Sequence, residues 1–169
     1  MKDVNIQYYV EGEDEKKLLE VLKNKLKVIK PGKVLKLNVV TKRISDAVLR
    51  TLKNGTIVVL VFDTDTKDLD ILEQNIKKLK EYRFISSVIT IPQVPNLEGE
   101  LIHSCNIKRI TELLNSRSKS EFKSDLIHVS NLDSKLTEHG FDIKLFWNQQ
   151  PKPPYHQILN EAYKIKIER

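Results

Sequence analysis

Val58-Val59-Leu60-Val61-Phe62 is an unbroken apolar run that passes directly into Asp63-Thr64-Asp65. A strand with one wet face alternates polar and apolar residues. A strand without alternation has to be covered on both faces, as in a parallel sheet with helices on each side. In open sheets of that kind the ligand crevice lies beyond the carboxyl ends of the strands. The two aspartates therefore stand where chemistry is done. Ile6-Gln7-Tyr8-Tyr9-Val10 repeats the design, running straight into Glu11-Gly12-Glu13-Asp14-Glu15.

The surrounding pattern supplies the helices such a sheet needs. Val4 to Val10 reads as the first strand. Leu18, Leu19, Leu22, Leu26 and Ile29 recur at helical spacing and predict an amphipathic helix over residues 13–30. Its first turn holds three acids, where the helix dipole favours negative charge. Pro31-Gly32 stops it. A second strand is expected over 34–40, a second helix along Ile44, Ala47, Val48 and Leu52, and a turn at Asn54-Gly55. Leu69, Leu72, Ile76 and Leu79 mark a third helix, with Asp68 as its cap. A fourth strand is expected over 84–91.

This succession predicts an α/β fold with a mostly parallel four-stranded sheet flanked by helices. Pro92-Gln93-Val94-Pro95-Asn96 interrupts it. Beyond lie helical spacing through Ile107, Ile110, Leu113 and Leu114, and a short last helix expected at 156–164. The expected division is a core at 1–92 and a mainly helical C-terminal extension at 93–169, packed on the core through Phe141, Phe146 and Trp147.

The bulk numbers narrow the function classes. A chain of 169 residues with 40% hydrophobic content builds an ordinary core. No stretch approaches the roughly 20 apolar residues that span a bilayer. The single Cys105 offers neither an internal disulfide nor a zinc set, and the four histidines have no metal-ligand spacing. The first residues carry no signal-peptide pattern, so a cytoplasmic protein is expected.

Charge is distributed unevenly. From Lys16 to Lys53 there are twelve Lys or Arg against only Glu20 and Asp46, a local +10 in a chain of net +6, which leaves −4 elsewhere. A basic block beside an acidic motif suits a polyanionic substrate; its plain alternative is a solvated lysine-rich surface. Lys16, Lys17, Lys42, Arg43, Lys67 and Lys152 are the candidate phosphate contacts.

Glu11 meets Asp63 and Asp65 only if strands one and three are neighbours, as in a sheet of order 2-1-3-4. Carboxylates held at ~4 Å repel by about 4 kcal/mol per pair at an effective dielectric near 20. Cations, hydrogen bonds or protonation have to offset that. Mg2+ suits an all-oxygen site with few protein ligands, and ions so placed stabilise both the attacking and the leaving oxygen in phosphoryl transfer.

The two motifs, Glu11-Gly12-x-x-Glu15 after one apolar strand and Asp63-x-Asp65 after another, resemble the Toprim domain over residues 4–92. That Rossmann-like family includes topoisomerases, bacterial primases, small ribosomal-RNA maturation nucleases, recombination proteins and the overcoming-lysogenization-defect nucleases. The resemblance implies Mg2+- (or Mn2+-) dependent chemistry at nucleic-acid phosphodiesters. It implies that Glu11 is the general acid/base or a metal ligand, that Asp63 and Asp65 bind the metal, and that Glu15 holds a supporting metal or structural position. Gly12 is expected to let the backbone turn tightly beside the substrate.

Many topoisomerase and primase members place a glycine two residues after the aspartate pair. Here Thr66-Lys67-Asp68 follows. That departure directs the resemblance towards the overcoming-lysogenization-defect-like nucleases, many of them parts of phage-defence systems, some acting with an ATPase partner. Some carry a further acidic pair after the fourth strand, which Glu98 and Glu100 are placed to supply as second-metal ligands. For both, acids at a helix start are the plain reading.

Other classes fit less well. Haloacid dehalogenase-type phosphatases want Thr or Val two residues after the second Asp, where Lys67 stands, and a receiver domain needs a late lysine on a fifth strand. No G-x-x-x-x-G-K-[ST] occurs, so there is no P-loop in this chain. Tyr8 and Tyr9 lie within a strand, a poor place for a topoisomerase nucleophile. The rival from another class is a non-catalytic module that binds nucleic acid or a partner with a disabled site.

Overall fold

The computed structural model describes residues 3–167, so residues 1–2 and 168–169, at the ends of the two expected segments, lie outside it. Four strands, β1 (Ile6–Val10), β2 (Lys33–Lys36), β3 (Thr56–Asp63) and β4 (Ile85–Gln93), form one sheet of order β2-β1-β3-β4. Every pairing is parallel. The crossovers carry α1 (Glu13–Asn24), α2 (Asp46–Arg50) and α3 (Asp70–Glu81). Four helices follow: α4 (Leu97–Ser104), α5 (Thr111–Leu114), α6 (Lys119–His128) and α7 (Leu132–Glu138).

The apolar run of β3 is covered on both faces. Val59 and Val61 join α1 residues Leu18, Leu19 and Leu22 in one cluster, together with Leu101, Phe122, Leu136 and Trp147 from beyond residue 93. Val58, Leu60 and Phe62 join Leu49, Leu72, Leu79 and Tyr155 in the other. Each fully buried side chain of this size contributes roughly 1.5–3 kcal/mol. Side chains two apart on a strand share a face. Asp63 therefore continues the Val59–Val61 side, which is the side covered by α1.

Several boundaries differ from the pattern. The first helix ends at Asn24, because Lys27 turns left-handed (φ 54) and Val28 N–H bonds to the Leu22 carbonyl. That turn lets Ile29 bury and bridge to Lys166. The second strand stops at Lys36, and Val39 and Val40 instead bury in the loop against the second cluster. The fourth strand continues through Pro92 to Gln93. Proline is tolerated there because β4 is an edge strand.

The expected last helix is two 3-10 turns, Tyr155–Gln157 and Ala162–Lys164, separated where Asn160 turns its side-chain amide onto the Trp147 and Gln149 carbonyls. α6 and α7 escaped the periodicity reading, since each buries only two apolar positions, Phe122 with Leu126 and Leu132 with Leu136. No helix among the described residues is long and apolar enough to cross a membrane.

Candidate metal centre

Three carboxylates converge at the carboxyl edge of the sheet. Glu11, Glu15 and Asp63 each offer an oxygen, and these atoms lie within 4.8 Å of one another. The chain brings them there by three local devices. Glu11 follows the last residue of β1, Asp63 is the last residue of the neighbouring β3, and Glu15 lies in the first turn of α1. The Asp63 backbone N–H donates to Glu11 Oε1 at 3.1 Å.

Gly12 precedes α1 in extended backbone (φ −146), which any residue adopts, so a tight turn is not its role. A Cβ there would stand 3.0 Å from Asp14 Oδ1 and 3.3 Å from Glu15 Oε2. The glycine leaves room for the carboxylates themselves.

The electrostatics follow from burial and crowding. Glu15 is 4% exposed. Burial, then the adjacent Asp14 and the Asp63 charge, push its carboxyl up to about 10. Burial, then Glu11, push Asp63 up to about 8, against the pull of the Gln93 side-chain hydrogen bond. Burial also raises Glu11, although hydrogen bonds from Asp63 oppose it.

None of the ion pairs among the described residues reaches these three acids. Protonation or a bound cation therefore has to offset the repulsion. The donors are all hard carboxylate oxygens, the set that Mg2+ and Mn2+ take and that softer metals do not select. On donor chemistry the residues fit a divalent cation of that kind.

The other expected site residues are placed variously. Asp65 is exposed on the loop after β3 and outside the three-oxygen group, yet its charge raises both Glu11 and Asp63. That loop is tied down by Thr66, whose hydroxyl meets the Tyr155 hydroxyl at 2.7 Å. Asp68 was expected to cap α3, but Leu69 holds the cap position, and Asp68 stands one residue earlier, accepting from Asp70 N.

Glu98 and Glu100 do not join the cluster as a pair. Successive helical residues are about 100° apart, so these two point roughly 200° from one another. Glu100 is fully buried and accepts from Val94 N (2.8 Å) and Trp147 N (3.1 Å). Glu98 instead faces Lys123, 3.7 Å away. His103 pairs with Asn148 rather than with any acid of the cluster.

Lys17 is committed to α6, donating to the Val129 and Ile127 carbonyls. Lys42 and Arg43 are exposed on the loop after β2, where the Lys42 carbonyl accepts from Asn75 in the middle of α3, and Lys67 is exposed on the loop after β3. Lys152 is exposed just before Tyr155, and Lys16 is half-buried on α1 beside Glu13.

Two participants were not foreseen. Lys123 of α6 is raised by Glu98 first, then by Asp14, Glu15 and Asp63, so its ammonium lies in the field of the cluster. Gln93 donates its amide to Asp63 Oδ1 at 2.8 Å. Strand parity carries a signal for the second: Gln93 pairs in register with Asp63 and shares the face of Ile89 and Ile91.

A hollow of about 540 Å³ lies between α3 and residues 157–161 and has none of the cluster acids in its lining. The charged groups, and not cavity size, locate the site. Compared with known proteins, the chain matches no family model, no curated protein and no solved structure.

Proposed function

We propose that this chain is a Mg2+- or Mn2+-dependent nuclease that hydrolyses DNA or RNA phosphodiesters at a Toprim-like active site. The observation that carries this reading is the convergence of Glu11, Glu15 and Asp63 within 4.8 Å. It is supported by their order on the sheet, with the glutamate motif after β1 and the aspartate motif after the adjacent β3. By the same resemblance the protein acts in phage defence or nucleic-acid processing in the cytoplasm, with an ATPase or other defence subunit as a partner in trans.

Asp63 and Glu15 hold the ion, with Asp65 beside them. When bound, the ion supplies charge stabilisation to the phosphodiester and acidifies a water molecule. Glu11, oriented by the Asp63 N–H, accepts the proton of the attacking water. A group raised from the ordinary carboxylate range is a better base near neutrality than a free carboxylate. Lys123 offers the facing positive charge. Lys42, Arg43, Lys67 and Lys152 track the nucleic-acid backbone.

The test is incubation of purified protein with single-stranded, duplex and structured DNA and RNA, with Mg2+ or Mn2+. Metal-dependent cleavage lost in Asp63→Ala is expected. Equal cleavage by both proteins would place the activity elsewhere, and binding without cleavage by either would favour a non-catalytic module.

A further inference from the structure

Gln93 ends β4 with a fully buried side chain whose two ends are both engaged. Trp147 Nε1 donates to Gln93 Oε1 at 3.1 Å, and Gln93 Nε2 donates to Asp63 Oδ1 at 2.8 Å. An indole nitrogen only donates. The amide oxygen therefore has to face Trp147, and the NH2 group is left facing Asp63. A buried indole thus decides which end of a neighbouring amide reaches a carboxylate two hydrogen bonds away.

The far end of this relay is fixed with unusual firmness. Trp147 has a left-handed backbone (φ 58), a conformation that bulky residues rarely hold. Its backbone N–H donates to Glu100 Oε2, while Glu100 Oε1 accepts from Val94 N, the residue after Gln93. A closed ring of bonds runs from Gln93 through Trp147 and Glu100 back to Val94. An apolar side chain at 93 would suit a face shared with Ile89 and Ile91, and burying an amide there is unfavourable unless it is fully paired. Strain held in place by its surroundings is characteristic of functional sites.

We propose that Gln93 is a positioning residue for the divalent-ion site, and that Trp147 sets its direction. The amide fixes the rotation of the Asp63 carboxylate, so the ion meets a preset ligand. Trp147 is the only tryptophan of the chain. Its emission therefore reports occupancy of the site through a single intervening amide. This inference rests on the reading that Asp63 binds the ion.

Calorimetric titration of the full chain with Mn2+ tests it, alongside tryptophan emission during titration with Mg2+. Losing a side chain that orients a metal ligand weakens metal affinity roughly 10- to 100-fold, and Gln93→Met is expected to fall in that range. Trp147→Phe, which keeps a ring but frees the amide to turn, is expected to lose roughly 10-fold, the low end of that range. Saturating Mg2+ should change wild-type emission and leave Gln93→Met emission unchanged, even where that variant's weaker site is filled. A merely structural role would not move that signature.

Asp63→Ala separates the two readings. Wild-type protein that takes up no Mn2+ overturns both. Wild-type binding lost in Asp63→Ala but equal in Gln93→Met overturns the relay alone. If circular dichroism shows Gln93→Met unfolded, the Trp147→Phe affinity decides, and a value within twofold of wild type overturns the proposal.

Discussion

The backbone N–H of Asp63 donates to Glu11 Oε1 across 3.1 Å, joining positions 52 residues apart in the chain. Parallel pairing of β1 with β3 closes that distance. The contact orients Glu11, but it also holds two acids together. Asp63→Asn keeps the backbone donor and removes the charge. At pH 8 without metal this variant is expected to be more stable, by about 1 kcal/mol or ~2–4 °C in Tm for a chain of this size. Mg2+ should raise the Tm of wild type and not of the variant. Thermal melts with and without Mg2+ check both signs.

A second expectation concerns pH. Glu15 and Asp63 are raised to about 10 and about 8, so the folded chain holds protons that the unfolded chain releases near pH 4. Their contribution to stability is full below about pH 4 and is lost as pH rises towards those higher values. Metal-free stability should therefore fall between pH 5 and 8, with a limiting slope of about 1.4 kcal/mol per pH unit for each such proton. A bound divalent cation replaces the protons, so Mg2+ should stabilise more at pH 8 than at pH 5. Urea denaturation across that range measures it, and a metal-free stability rising with pH would contradict the burial argument.

Lys123 should act on binding and turnover in opposite directions. Its ammonium lies in the field of Glu98, Asp14, Glu15 and Asp63. Lys123→Met removes a like charge from the path of the cation, and Mn2+ affinity should rise about 2- to 5-fold. Loss of a preorganised positive group facing the reacting phosphate should lower turnover by at least ~10-fold. Calorimetry and single-turnover cleavage on the same preparation separate the two, and a parallel fall in both would mean that Lys123 merely supports α6.

The exposed basic residues of the loop after β2 predict a salt dependence. Lys42 and Arg43 are exposed on the loop after β2, while Lys17 is held by α6 carbonyls. Neutralising Lys42 and Arg43 together should reduce the slope of log affinity against log salt by about 2. Lys17→Met should leave the slope unchanged and lower Tm. An unchanged slope in the double variant would make those side chains a solvated surface.

The sheet and its acids were legible because each is written locally. The uninterrupted run at 58–62 demands two covered faces, and the acids stand directly after strands whose adjacency the site requires. Glu15 was visible as the last residue of the Glu11-Gly12-x-x-Glu15 motif. The supporting residues were not, since their meaning depends on how the chain after residue 93 folds back. Gln93 stood in a Pro-rich segment that reads as a loop, and Lys123 on a helix with only two buried apolar positions. Glu98 and Glu100 looked alike in sequence, yet helical rotation sends one to Lys123 and the other into the interior.

Trp147, Phe122 and Leu136 share one apolar cluster with Val59, Val61 and Leu18. The boundary at residue 92 therefore crosses a common interior and does not run between two independent ones. A fragment ending there would present the greasy side of its central strand to water, and its natural fate is self-association. Any dissection of this molecule has to keep both halves, by co-expression or by cutting a surface loop in the intact chain.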